Sequence, residues 1–115
     1  MSDAQPGSNP AIWESEQTHP EQCNNLREAL REITDPEIGL NIIQLGLIRN
    51  VKIDEDQAIV RMILTTPFCP YGPAMIEETR QRAEKALNLP VIMDLGLEPW
   101  DFSMMEEGLG EWGLY

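Results

Sequence analysis

A chain of 115 residues, 42% hydrophobic and 24% charged, has room for one small core and the ordinary composition of a globular domain. Its 20 acidic and 8 basic residues give a formal net charge of −12. Such a field repels phosphate backbones and anionic lipid headgroups, which makes nucleic acid and membrane surfaces poor partners and leaves basic proteins or metal ions as better ones.

Residues 1–19 read as a flexible arm, rich in Ser, Asn, Gln, Pro and Glu and without a sustained period. Ile12 and Trp13 interrupt it; they read first as a stray apolar pair, with a small docking element on the domain itself or on a partner as the alternative. His19 has no second imidazole or thiol near it in sequence, so it reads as an exposed, helix-flanking residue and not a metal ligand. Pro20 suits a first helical turn, and Cys23, Leu26, Leu30 and Ile33 then recur at offsets of three and four, the stripe of an amphipathic helix. That pattern puts Cys23 at the edge of the core. Thr34-Asp35-Pro36-Glu37 ends the helix, because a residue before proline resists helical geometry.

A loop and a short apolar turn over 42–46 lead into a hairpin. Leu47, Arg49, Val51 and Ile53 alternate with Ile48, Asn50, Lys52 and Asp54. Asp54-Glu55-Asp56 turns the chain, and 58–65 returns as a strand apolar on both faces, hence a central one. Pro73 opens a second helix with Ile76, Thr79, Ala83, Ala86 and Leu87 as its buried stripe; Asn88-Leu89-Pro90 stops it, and 91–97 reads as a third strand. The order α-β-β-α-β predicts an α+β fold, a small two-layer sandwich with both helices on one face of a three-stranded mixed sheet. The third strand should pair parallel to one hairpin strand through a right-handed crossover. The domain is placed at 20–100, and the tail 101–115, with its methionines, Trp112 and Tyr115, is expected to pack on the domain or on a partner.

Two cysteines are too few for a disulfide-stapled secreted scaffold, no secretory signal opens the sequence, and no apolar run reaches bilayer length, so a reducing cytoplasm is expected. Cys69 lies between a strand-like and a helical segment, in Thr65-Thr66-Pro67-Phe68-Cys69-Pro70-Tyr71-Gly72-Pro73. A helix N-terminus carries unsatisfied N–H groups and favours a thiolate, the form that binds metals. The prolines stiffen this run and Gly72 permits close approach, which suits a ligand site and equally a sturdy connection. A catalytic Cys–His pair is not available, because the lone histidine sits in the arm; there is no C-x-x-C for redox exchange. A resident zinc or iron–sulfur centre needs about four ligands. Two readings stay open for Cys69: one ligand in a shared, labile site that a second subunit, a client or a carrier completes, or a packing residue of a stiff turn.

From about Leu26 to Trp100 the chain resembles the iron–sulfur cluster assembly domain family that includes SufT, PaaD and the eukaryotic cytosolic iron–sulfur targeting factor. Four runs carry the likeness: Asp35-Pro36-Glu37, Asn41-Ile42-Ile43-Gln44-Leu45-Gly46-Leu47-Ile48, Leu64-Thr65-Thr66-Pro67-Phe68-Cys69-Pro70 and Glu98-Pro99-Trp100. Met104-Met105-Glu106-Glu107-Gly108 looks like the family's tail. Phe68 departs from the small residue usual before the cysteine, and Glu98 from a proline. The resemblance implies an assembly-type α+β fold, frequent homodimers, and a non-enzymatic role in maturing iron–sulfur proteins with the assembly machinery and client apoproteins as partners. It also implies that iron or a cluster is held only transiently. By carry-over, Cys69 is the metal ligand, with Asp35, Glu37 and Thr66 as candidate functional residues; Trp100, Met105 and Trp112 are candidate partner contacts. Asp35 and Glu37 keep two readings, as carboxylates that adjust iron coordination or as a solvated helix-ending turn.

Overall fold

Three strands form the frame on which everything else is hung. In the computed structural model, which describes residues 11–36, 38–66 and 70–105, β1 (Ile48–Ile53) and β2 (Ala58–Met62) are antiparallel and β3 (Val91–Leu95) runs parallel to β2. The sheet order is β1-β2-β3, so the return strand of the hairpin is central, as its two apolar faces require. The turn closes where the Asp54 N–H donates to the Gln57 carbonyl at 2.8 Å. Helix α1 (Pro20–Leu30) packs on α2 (Gly72–Leu87), and α2 on β3, which gives the two-layer α+β sandwich. Ala58, Val60 and Met62 point into the core, whereas Ile59 and Arg61 lie on the opposite, partly open face.

Departures from the sequence reading have local causes. Strict alternation would put the Arg49 guanidinium on the core face of β1. Instead the ladder steps from Ile48↔Met62 directly to Asn50↔Arg61, so Arg49 is the extra residue of a bulge and Ile48 joins Val51 and Ile53 inside. Arg49 donates to the Gly46 carbonyl at 3.1 Å. Helix α1 ends at Leu30, short of the Asp-Pro pair, because Thr34 is drawn into a β-bridge with Asn41 and the Ile42 N–H bonds the Ile33 carbonyl at 2.9 Å. Ile33 still reaches the core from the following turn. In α2, which starts at Gly72 rather than Pro73, Met75 takes the buried position expected of Ile76. β2 and β3 stop at Met62 and Leu95, earlier than read, because the Ile63 N–H turns to the Leu47 carbonyl and the Gly96 N–H closes the last rung on Met62.

The larger correction concerns the arm. Residues 1–10 lie outside the described residues, but 11–19 pack on the domain. Trp13 is buried and donates its indole N–H to the Ile48 carbonyl at 3.0 Å; the Arg27 guanidinium lies 4.4 Å over its ring and pairs with Glu16. In the short 3-10 helix Glu14–Glu16, Ser15 Oγ accepts the Ile53 N–H at 2.7 Å. Trp13 and Ser15 thus cover the outer edge of β1, satisfying backbone groups that a bare edge strand would expose. Trp13→Ala should lower unfolding free energy by about 3–5 kcal/mol in urea titrations, the usual cost of truncating a buried tryptophan; a loss below about 1 kcal/mol would show that the segment merely rests on the sheet.

Candidate functional site

The loop after α1 buries a carboxylate. Asp35 is 1% exposed. Its backbone is fixed by its own N–H donating to the Leu40 carbonyl at 2.9 Å and by its carbonyl accepting from the Gly39 N–H at 2.8 Å, with Gly39 at φ +84 supplying a turn that glycine adopts without strain. The side chain then collects donors. Oδ1 accepts the Tyr71 hydroxyl at 3.0 Å and the Ile38 N–H at 3.3 Å, and Oδ2 accepts the Thr65 hydroxyl at 3.3 Å. Burying a carboxylate is costly without such donors, and bonds to a charged acceptor are the stronger kind.

Where those donors sit decides what the cluster can do. Thr65 follows β2, and Tyr71 is the residue that caps α2, its carbonyl accepting the Met75 N–H at 3.0 Å. Asp35 therefore pins both borders of the segment 66–70, in which Cys69 lies. Thr66 is described and half-buried. Pro67, Phe68, Cys69 and Glu37 lie outside the described residues, as does Trp112. The structure brings Asp35 together with Thr65 and Tyr71, two residues that sequence reading passed over although both stand inside the run that carries Cys69. Tyr71 was visible as a polar aromatic just ahead of a helix; nothing local marks its partner, which is far away in sequence.

Elsewhere the expected roles change. Cys23 is wholly buried; burial pushes its thiol up, Glu16 adds to the rise and Arg27 opposes it, so it remains a protonated core thiol. Of the residues read as partner contacts, Met105 is taken up by the core, whereas Trp100 is tied to the domain through its N–H and keeps part of its ring accessible. The Trp100 indole N–H donates to the Leu45 carbonyl at 2.7 Å, leaving its ring half-buried, and Met105 is buried. Gly46 makes room for this tail: it adopts φ +73, and a Cβ there would collide with the Met104 carbonyl oxygen. Among the described residues no group of three or more His, Cys, Asp or Glu is arranged to hold a metal ion, so these residues offer no complete resident ligand set.

Residues 24–91 match the family model described as iron–sulfur cluster assembly protein. The chain belongs to that family. It is 42% identical over 81 residues, 68% of this chain and 77% of the other, to an Fe-S protein maturation auxiliary factor of Porphyromonas gingivalis. It is 39% identical over 72 residues, 61% of this chain and 67% of the other, to the Fe-S protein maturation auxiliary factor YitW of Bacillus subtilis. A crystal structure of a domain of unknown function from Bacillus anthracis shares the fold, with a TM-score of 0.68 at 24% identity over 76% of this chain and 87% of that one. The family and the α-β-β-α-β sandwich expected from sequence are thus the ones found.

If Asp35 binds Tyr71 as a charged acceptor, the two must be energetically coupled. A double-mutant cycle with Asp35→Asn and Tyr71→Phe should give a coupling of about 1–2 kcal/mol in unfolding free energy, within the range for side chains sharing one network. Strictly additive losses would deny the link.

Proposed function

We propose that the chain is a non-enzymatic accessory factor that passes iron or an iron–sulfur cluster to client apoproteins, with Cys69 as a transient ligand. One observation supports this most: in a member of an iron–sulfur assembly family, a buried carboxylate holds Thr65 and Tyr71, the two borders of the cysteine-bearing segment. Relatives named as Fe-S protein maturation auxiliary factors support the same reading.

The chemistry follows from the surroundings of the sulfur. Cys69 precedes the first residue of α2, Gly72, by only Pro70 and Tyr71, so the positive end of the helix favours its thiolate. One thiolate gives iron a foothold without enclosing it. The remaining coordination positions belong to the carrier that delivers the cargo, the client that receives it, or a second copy of the chain. Sparse ligation keeps dissociation fast, as a transfer step requires. Asp35 is a positioning residue here, since its lone pairs are committed to protein donors, and Glu37 and Thr66 are the candidates for adjusting the approach of cargo. The expected homodimer and cytoplasmic setting belong to this proposal; among the described residues no helix is long and apolar enough to cross a membrane.

An adaptor that docks client and carrier through its acidic surface and aromatic tail is the alternative. It loses ground because Met105 and the Trp100 N–H are committed to the domain.

Cys69→Ser is nearly isosteric and should leave stability within about 0.5 kcal/mol. In cells dependent on this chain, it should reduce the activity of iron–sulfur client enzymes to the level of a deletion. After anaerobic incubation with iron and sulfide, the variant should also lack the ultraviolet–visible and Mössbauer signals of the wild type. Full client activity with serine in place would refute the ligand role.

A further inference from the structure

The two edges of the sheet are treated differently. On the β1 side, Trp13, Ser15 and Asn50 satisfy outward backbone groups: the Ile48 carbonyl, the Ile53 N–H and the Val51 N–H. Among the described residues the β3 side has no such cover. The Pro90 carbonyl accepts the Ala58 N–H and the Gly96 N–H donates to the Met62 carbonyl, so in this parallel ladder the even-numbered residues face β2 and residues 91, 93 and 95 turn outward. The Val91 N–H is taken by the Glu84 carboxylate at 3.0 Å. The outward N–H and C=O groups of Met93 and Leu95 meet no protein partner among the described residues.

Exposed apolar side chains flank the same edge on its two faces, Ile92 beside Ile59 on the open face and Leu95 on the other, with Leu97 just past the strand end. Ile92 is 48% exposed, Leu95 51% and Leu97 97%. Just beyond, where the chain leaves the ladder, Met62, Thr65, Leu95, Leu97, Glu98 and Trp100 help to line an open groove of about 340 Å³. Its floor is crowded: a Cβ at Gly96 would approach Ile63 Cγ2 to 2.8 Å. The strip thus runs from an unpaired strand edge into an apolar groove that ends at Thr65, beside the segment of Cys69.

We propose that this edge and groove are a docking site for an extended segment of a partner protein in which apolar and basic residues alternate, added to the sheet as a fourth strand antiparallel or parallel to β3. Unpaired ladder groups select an extended backbone, and the apolar strip selects alternate apolar side chains. Charge selects the rest. The Arg61 guanidinium is already shared between Asp94 at 3.0 Å and Glu98 at 2.8 Å, and Arg49 lies in the field of Glu98 and Asp101, so the cations described near the groove already face acidic side chains of this chain. The chain's net charge of −12 attracts lysine and arginine. This partner class is read from the edge alone and does not depend on metal handling at Cys69.

The probe is a fluorescein-labelled octapeptide alternating lysine and valine, titrated with the full chain at physiological ionic strength, where the Debye length is about 8 Å. Anisotropy should show binding. It should weaken about tenfold or more, a loss equal to about 1.4 kcal/mol, both for the variant carrying Leu95→Asp and Leu97→Asp and for a peptide N-methylated at alternate amides. Should the double variant melt early, Leu97→Asp alone serves, since that side chain is almost fully exposed. Cys69→Ser should bind as the wild type does, which separates this site from the ligand role. On saturation, hydrogen exchange at the Met93 and Leu95 amides should slow. Equal binding by the methylated peptide or by the variant would reduce the effect to charge attraction and overturn the proposal. So would protection confined to other amides, absence of peptide binding, or sedimentation showing that wild-type chains pair with each other through this edge.

Discussion

The carboxylate of Asp35 is the interaction that ties together the loop after α1, the end of β2 and the start of α2. It is buried, and it takes hydrogen bonds from three places in the chain: the loop that follows α1, the end of the central strand and the start of α2. Hydrogen bonds to a buried charge are strong and its desolvation is expensive, so the geometry that satisfies it is favoured over those that leave a donor missing. The segment 66–70 is thereby held at both borders by one side chain. The two borders of this proline-rich connection, Thr65 and Tyr71, thereby gain defined positions without a rigid element of their own.

The sheet supplies the other half of that geometry. β2 is flanked on both sides, which fixes the direction in which it delivers Thr65, and β3 returns parallel through α2, which fixes where the helix begins. The bulge at Arg49 keeps a cation out of the core while letting Ile48, Val51 and Ile53 share one face. Electrostatics on the outer surface are of lesser weight. Arg80 holds the exposed Glu77 carboxyl down to about 2 and also pairs with Glu84, and Arg82 bridges Glu78 and Glu32; these solvated pairs stabilise little individually.

Periodicity made much of this legible. The stripe Cys23, Leu26, Leu30, Ile33, the acidic turn after Ile53 and the two-faced apolar return strand were enough to give element order, the central strand and the parallel crossover. The runs around Asp35 and Cys69 gave the family. What remained hidden depends on contacts distant in sequence. Trp13 looks like a stray residue in a polar arm because its partner, the Ile48 carbonyl, carries no sequence signature. Arg49 alternates correctly with its neighbours, and only the cost of burying a guanidinium shows why the strand must bulge there. Trp100 and Met105 look adhesive in isolation, yet Gly46 opens the space that lets the tail fold back. Asp35 was legible as a candidate, but its role was not: a carboxylate before proline reads as a solvated turn until Thr65 and Tyr71 are seen to converge on it.

The central proposal is that Thr65 and Tyr71, held by Asp35, fix the borders of the segment that carries Cys69 and thereby favour its thiolate near the start of α2. The most direct measurement is the pH dependence of iodoacetamide alkylation of the native chain, in which the buried Cys23 should stay silent, compared with a Thr65→Val, Tyr71→Phe variant that removes both donors without changing charge. The account predicts a Cys69 thiol pKa below the free-cysteine value of about 8.5 in the wild type and a rise toward it in the variant. The same pKa in both proteins, or no alkylation of Cys69 in the native chain, would contradict it.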